Sequence, residues 1–255
     1  MSFKELTEEY IQFIKSTGIE DIDKLRIETQ IESLKDWSLH GTIDTVTAWY
    51  LEQQSNCTMQ ITDIPLDSCR EWYLDVSDGY IKHKTGDFFY VQGVRIGQSS
   101  SREVGSAGWD QPMITQVGYN GGLLGLLRKK HDGVPHYLIE AKAEPGNPDK
   151  VQISPTLQAT FSNLKKAHGG KKPRFAEYFE TPEIMGGKVL FDQWMSEDGG
   201  RLHLKRNRGM LVEVAEDTEL DLPQSFQWLS LFQIKYFIKN NSWVNPHVRG
   251  IISHL

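Results

Sequence analysis

An α+β fold, a mixed β-sheet flanked by helices with a further helical layer at the N-terminus, is predicted by two observations. Apolar residues recur at helical spacing over the first fifty or so positions, whereas from Cys57 to Val214 they fall in short runs broken by Gly and Pro. No internal repeat, low-complexity tract or linker divides the chain, so the expected organisation is a helical segment, 1–56, packed on one main domain, 57–255.

The elements follow in order. Ser2 and Glu5 have capping-box spacing, Leu6, Tyr10, Phe13 and Ile14 share a helical face, and Gly18 suits a C-terminal cap. Further helices are expected over 23–36 and 43–54. Strands are expected at Thr58–Ile64, Phe88–Ile96, Met113–Val117, Leu123–Lys129 and Pro135–Ala143, with hairpin turns at Asp78-Gly79 and Asp132-Gly133. A short helix is expected at Gln158–Ala167. A longer one is expected at Ser225–Lys239, with Phe226, Leu229, Ile234 and Phe237 on its apolar face.

Composition narrows the function. With 255 residues, 38% hydrophobic and 24% charged, the chain can bury a full core without staples. Cys57 and Cys69 form no C-x-x-C pair, which argues against a zinc or redox dithiol site. A charged N-terminus without an apolar run, and no stretch near the ~18 apolar residues of a membrane span, predict a cytoplasmic protein without a membrane partner. The net charge of -6 argues against nucleic acid. The one cationic cluster, Arg201, His203, Lys205, Arg206 and Arg208, suits a compact anion.

Three strings carry candidate chemistry. If 136–144 is a strand, His136, Leu138, Glu140, Lys142 and Glu144 share one face, either a half-solvated surface laced with ion pairs or the wall of a catalytic cavity. Asn147 closes the turn that follows. From Gln152 to Asn163 hydroxyls and amides cluster, including Gln158, Thr160 and Asn163, as helix caps or as ligands for phosphate and sugar hydroxyls. Arg206 and Arg208 continue the apolar face of Met210, Val212 and Val214. They call for an anionic partner, a carboxylate or a diphosphate, unless the strand has already emerged into solvent. Arg95, Arg102, Trp109 and Gln111 add donors and a stacking surface.

Taken together, these strings resemble the NDP-hexose 2,3-dehydratase family. The resemblance begins near Arg70-Glu71-Trp72 and runs through Gly86-Asp87-Phe88-Phe89, Trp109-Asp110-Gln111-Pro112 and Gly122-Leu123-Leu124-Gly125-Leu126-Leu127. It continues through Ala141-Lys142-Ala143-Glu144-Pro145-Gly146-Asn147, Pro155-Thr156-Leu157-Gln158-Ala159-Thr160, Ser162-Asn163 and Lys205-Arg206-Asn207-Arg208, ending near Phe226-Gln227-Trp228-Leu229. It implies a Nudix-like fold, usually present as two tandem copies per chain. Here one copy is matched, so two chains are expected to pair as a homodimer. The Nudix box of metal-dependent pyrophosphatases is absent, Arg102-Glu103-Val104-Gly105 being only a fragment of it.

The implied reaction removes the carbon-2 hydroxyl of a nucleotide-linked 4-keto-6-deoxyhexose, with thymidine diphosphate the usual carrier and a 3-ketoreductase consuming the product. It demands no metal or other cofactor. A base takes the carbon-3 proton, a donor stabilises the enolate at carbon 4, and an acid helps the hydroxyl leave. Glu144 or His136 is the expected base, with Lys142 or the other of that pair as donor. Arg206, Asn207 and Arg208 are expected on the diphosphate, Gln158, Thr160 and Asn163 on sugar or phosphate, and Trp109, Gln111 and Asn147 elsewhere along the substrate. The alternatives are a sugar-nucleotide binding partner without catalysis, and an isomerase or epimerase acting on the same keto sugar.

Overall fold

A computed structural model describes residues 1–97, 108–119, 121–164, 172–240 and 242–255. The elements are α1 (Phe3–Ser16), α2 (Lys24–Glu32), α3 (Ile43–Ser55), β1 (Trp72–Asp75), β2 (Tyr80–His83), β3 (Phe89–Ile96), β4 (Trp109–Gln116), β5 (Gly122–His131), β6 (Val134–Ala143), β7 (Val151–Pro155), β8 (Leu157–Thr160), α4 (Phe161–Leu164), α5 (Glu177–Glu180), β9 (Lys188–Ser196), β10 (Arg206–Val214), β11 (Phe226–Leu229), α6 (Leu231–Ile238) and α7 (Pro246–Ile252). Strands β1 to β4 form a four-stranded antiparallel meander, and the rest form a second sheet ordered β11-β6-β5-β10-β9. β10 runs parallel to β5 while the other pairings are antiparallel, so the main sheet is mixed and the fold is α+β.

The main sheet contains a fork. β5 and β6 leave the Asp132-Gly133 turn, both residues at positive φ, and pair as far as Leu127 and Leu138. Beyond that point β6 pairs with β7, and β5 with β8, so the two strands diverge and β7–β8 fills the wedge. Thr156 sits at the branch. Its hydroxyl accepts from Leu127 N at 2.9 Å and donates to Leu138 O, supplying partners for backbone groups at the split.

Both faces of the sheet are covered. Leu124, Leu126, Tyr137, Ile139 and Leu211 pack on one side against Val46 and Tyr50 of α3, Ile234 and Phe237 of α6, and Val248 and Ile251 of α7. Leu127, Leu138, Met210 and Val212 pack on the other against Phe175, Tyr178 and Phe179. α1 and α2 join through Phe3, Ile27 and Ile31, with Trp37 and Val134 against them.

One charged network fastens this helical layer to the sheet. Arg128, 1% exposed, donates to Glu28 and Glu32 of α2 at 2.8 Å each and pairs with Glu213 of β10. Tyr137 donates its hydroxyl to Glu32 at 2.8 Å, and Lys130 donates to Glu28 at 2.9 Å. A buried guanidinium is tolerable only when surrounded in this way.

Three expectations need correction. Residues 58–64 are largely exposed and pair with no strand among the described residues, so the apolar alternation there does not make a strand. The expected helix at Gln158–Ala167 is the strand β8 followed by α4, with 165–167 outside the described residues. The helix expected from Ser225 begins only at Leu231. Phe226–Leu229 pairs with β6, and the Ser230 hydroxyl and Gln233 side chain form the capping box that starts α6.

Candidate active site

The opening of the fork forms a cavity of about 410 Å³. β6 brings Lys142 at its end and Glu144 just beyond, β8 brings Gln158 and Thr160, and α4 brings Asn163. The β9–β10 connection brings Glu197 and Lys205, β10 brings Asn207, and α7 brings His247. Gly122 forms part of the floor. A Cβ there would lie 2.8 Å from both Ala159 O and Asn207 Oδ1, so a larger residue would push these neighbours aside. A larger cleft, about 650 Å³ between α1, α2 and the C-terminus, has no carboxylate or imidazole side chain in its lining.

The cavity groups are held by one another. Gln158 donates to Glu144 Oε1 at 2.9 Å and accepts from Asn245 Nδ2 at 3.3 Å, while Lys142 Nζ donates to the Gln158 carbonyl at 3.4 Å. Asn207 donates to Glu197 Oε1, and the same oxygen lies 3.7 Å from His247 Nδ1. Asn245 caps α7 by accepting from Val248 N at 3.0 Å, and Pro246 opens the helix. His247 is thereby fixed in its first turn.

Burial pushes the His247 imidazole below its ordinary value of 6.5. Lys142 and Lys205 act in the same direction, against Glu197 and Glu144. One imidazole thus feels both ammonium groups and both carboxylates. Burial also lowers the Lys205 ammonium from 10.5, with Glu197 opposing. The set consists of two carboxylates, an imidazole kept neutral near pH 7, and a lysine that gives up its proton more readily than usual. Such groups can remove one proton and deliver another inside the same small volume.

The expected site residues divide. Lys142, Glu144, Gln158, Thr160, Asn163 and Asn207 meet at the cavity. His136 does not. It lies six positions back along β6, about 20 Å at ~3.3 Å per residue, with Nε2 accepting from Leu39 N at 3.0 Å and Nδ1 against Val134 O at 2.9 Å. Asn147 is spent on the turn, donating to Lys142 O and Lys150 O. Arg206 and Arg208 alternate with Asn207 and so point to the opposite face of β10. There Arg206 lies over the Trp194 ring at 4.6 Å, and Arg208 makes a two-pronged pair with Asp192 at 2.7 and 2.5 Å. The anion required by Arg208 is therefore a carboxylate of the protein.

Trp109 and Gln111 lie in the small sheet and do not line the cavity. Trp109 Nε1 donates to Gln111, and Gln111 donates to Gly200 O at 2.8 Å, bracing the 197–205 connection from behind. Arg95 pairs with Asp110 in two exposed contacts, and Arg102 lies outside the described residues.

Glu197, Lys205 and His247 were not among the expected site residues. Lys205 belongs to the cationic cluster already noted, and Glu197 lies a few residues before it, but which of these charges turns inward depends on the path of the connection. For His247 a local signal exists, since Asn245-Pro246 announces a helix start and places the histidine in its first turn.

A family model described as NDP-hexose 2,3-dehydratase matches residues 43–255. The chain belongs to the NDP-hexose 2,3-dehydratase family. A protein of Amycolatopsis orientalis named dTDP-4-dehydro-6-deoxy-alpha-D-glucopyranose 2,3-dehydratase is 36% identical over 219 residues, 83% of this chain and 44% of that protein. Proteins of the same name from Streptomyces violaceoruber and Saccharopolyspora spinosa are 36% and 38% identical, over 82% and 84% of this chain and 45% and 43% of their own lengths. The chain thus spans less than half the length of these family members. Among solved structures, it is similar to a Nudix hydrolase from M. smegmatis (13% identity, TM-score 0.34, 64% of this chain and 97% of that one) and to an ADP compounds hydrolase (11%, 0.36, 65% and 83%). At those scores the fold description rests on the strand order itself. Among the described residues no helix is long and apolar enough to cross a membrane.

Proposed function

We propose that the chain carries the 2,3-dehydration centre for a dTDP-linked 4-keto-6-deoxyhexose in a homodimer, with the fork cavity as the reaction site. The observation that carries this reading is the convergence of Lys142, Glu144, Glu197, Lys205 and His247 on one cavity of a family member whose relatives are named for that reaction. Each element of the cavity has a task in the chemistry.

The 4-ketone acidifies the carbon-3 hydrogen. Glu144 takes it, and the electrons move into the carbon-4 oxygen, which Lys142 stabilises. The enolate then expels the carbon-2 hydroxyl, to which Lys205 delivers a proton. The carbon-3 hydrogen and the hydroxyl leave as the elements of water, and the remaining enol rearranges to a 3,4-diketone. Neutral His247, backed by Glu197, keeps the cavity free of an additional positive charge that would weaken Glu144 as a base. Gln158, Thr160, Asn163 and Asn207 orient the sugar.

The test incubates the protein with dTDP-4-keto-6-deoxyglucose, with and without an NADPH-dependent 3-ketoreductase, and follows the sugar by mass spectrometry. Loss of one water, with the diketone reduced by the partner enzyme, is the expected result. Unchanged substrate alongside measurable binding would overturn the catalytic assignment. Exchange of the carbon-3 hydrogen with solvent, without loss of oxygen, would replace it by isomerisation.

A further inference from the structure

The histidine expected in the active site belongs to a second cluster at the closed end of the fork. His136 of β6, His131 at the end of β5 and His40 from the segment between α2 and α3 bring their ligand atoms within 4.8 Å of one another. Their rings are mutually near-perpendicular, at 80°, 86° and 88°, with centroids 4.2 to 5.2 Å apart. No turn or cap geometry requires three imidazoles at one point, and the proposed dehydration does not use them.

Two details go beyond proximity. His131 Nε2 is buried and has no hydrogen-bond partner, an unsatisfied nitrogen. His136 Nδ1 lies 2.9 Å from Val134 O, so it carries the proton, and Nε2 is left with its lone pair, accepting from Leu39 N at 3.0 Å. A backbone carbonyl fixing one ring nitrogen so that the other presents a lone pair is the usual arrangement behind a metal-bound histidine.

We infer that His40, His131 and His136 form a binding site for a borderline divalent cation, Zn²⁺ being the best match. Three neutral imidazoles with no carboxylate among the ligand atoms favour Zn²⁺ over Mg²⁺ or Ca²⁺, which take oxygen. Lys129, whose charge reaches His40 and His131, donates its Nζ to Thr218 O at 2.7 Å instead of to a ring nitrogen. Zn–N bonds of about 2.0–2.1 Å at a tetrahedral centre place ligand nitrogens roughly 3.3 Å apart, so the cluster must tighten. His40 is the exposed member and lies on a connecting segment, so it supplies that movement, and the Leu39 amide gives up its contact with His136. Solvent reaching the exposed side supplies the fourth ligand. The bound ion would fasten the 33–42 segment to the β5–β6 hairpin.

The test uses untagged protein stripped with a chelator and titrated with Zn²⁺ by calorimetry, and with Co²⁺ by visible absorption. One ion per chain, a tetrahedral cobalt spectrum and a higher unfolding temperature with Zn²⁺ are expected. His40→Ala and His131→Gln each lower Zn²⁺ affinity by at least about 100-fold, the upper end of what losing even an outer-shell partner costs. His40→Ala, at an exposed position, leaves metal-free unfolding unchanged, so its effect is not misfolding. His247→Gln leaves Zn²⁺ affinity unchanged. No stoichiometric binding, or affinity in His40→Ala and His131→Gln unchanged from that of the unaltered protein, would overturn the site.

Discussion

The two ends of β6 carry similar residue types and put them to opposite uses. At the closed end of the fork, Arg128 and Tyr137 meet Glu28, Glu32 and Glu213, and the contacts saturate the carboxylates with donors inside a nearly dry interior. At the open end, Lys142, Glu144, Glu197, Lys205 and His247 line a cavity, and Glu144, Glu197 and Lys205 are held there by the amides of Gln158, Asn207 and Gln116 while one side of each group stays open to the space. The difference lies in saturation. A charge network whose partners are all protein groups holds elements together, whereas one facing a cavity keeps donors and acceptors for a substrate.

Substitutions at either end sharpen this contrast. Glu144→Gln is expected to lower turnover by about 100- to 10,000-fold while leaving the denaturant midpoint near its starting value, as checked by single-turnover kinetics and urea unfolding. A large stability loss with modest kinetic effect would make the open end structural too. Arg128→Met should do the reverse, costing about 3–5 kcal/mol by stranding buried carboxylates, read from the same urea transition.

A finer distinction comes from pH. Because burial depresses the His247 imidazole, the midpoint of its protonation lies below 6.5, and it becomes mostly charged only as pH falls below that midpoint. The acid limb of kcat/KM is therefore expected below 6.5, and it should shift in His247→Gln. A limb at or above 6.5 would contradict the assignment. The smallest effect is expected at the opposite face of β10. Arg208→Ala removes a partly exposed pair worth less than about 1 kcal/mol and should leave nucleotide affinity, measured by calorimetry, unchanged. A clear loss of affinity there would return that face to the substrate site.

Much of the fold was legible in local pattern. The Ser2–Glu5 capping box, the Asp132-Gly133 turn and the alternation along β6 each involve neighbours in sequence, and the structure contains all three. Two of the errors arise where two periods abut. Phe226–Leu229 and Leu231–Ile238 read as one helix because a four-residue strand is too short for its period of two to stand out, and its pairing with β6 lies far away in sequence. Of the site, Lys142, Glu144, Gln158 and Asn207 were accessible from their strings.

By itself the sequence determined the α+β class, the main hairpin, the family and half of the cavity wall, because those depend on short-range spacing and on contiguous motifs. Only the tertiary structure decided that His136 lies away from the fork cavity and that His247 lines it. β6 is about 33 Å long at ~3.3 Å per residue, so residues on one of its faces belong to different ends of the molecule. The fork between β5 and β6 decides which end opens, and its branch at Thr156, between β7 and β8, joins residues from two strands that no local pattern connects.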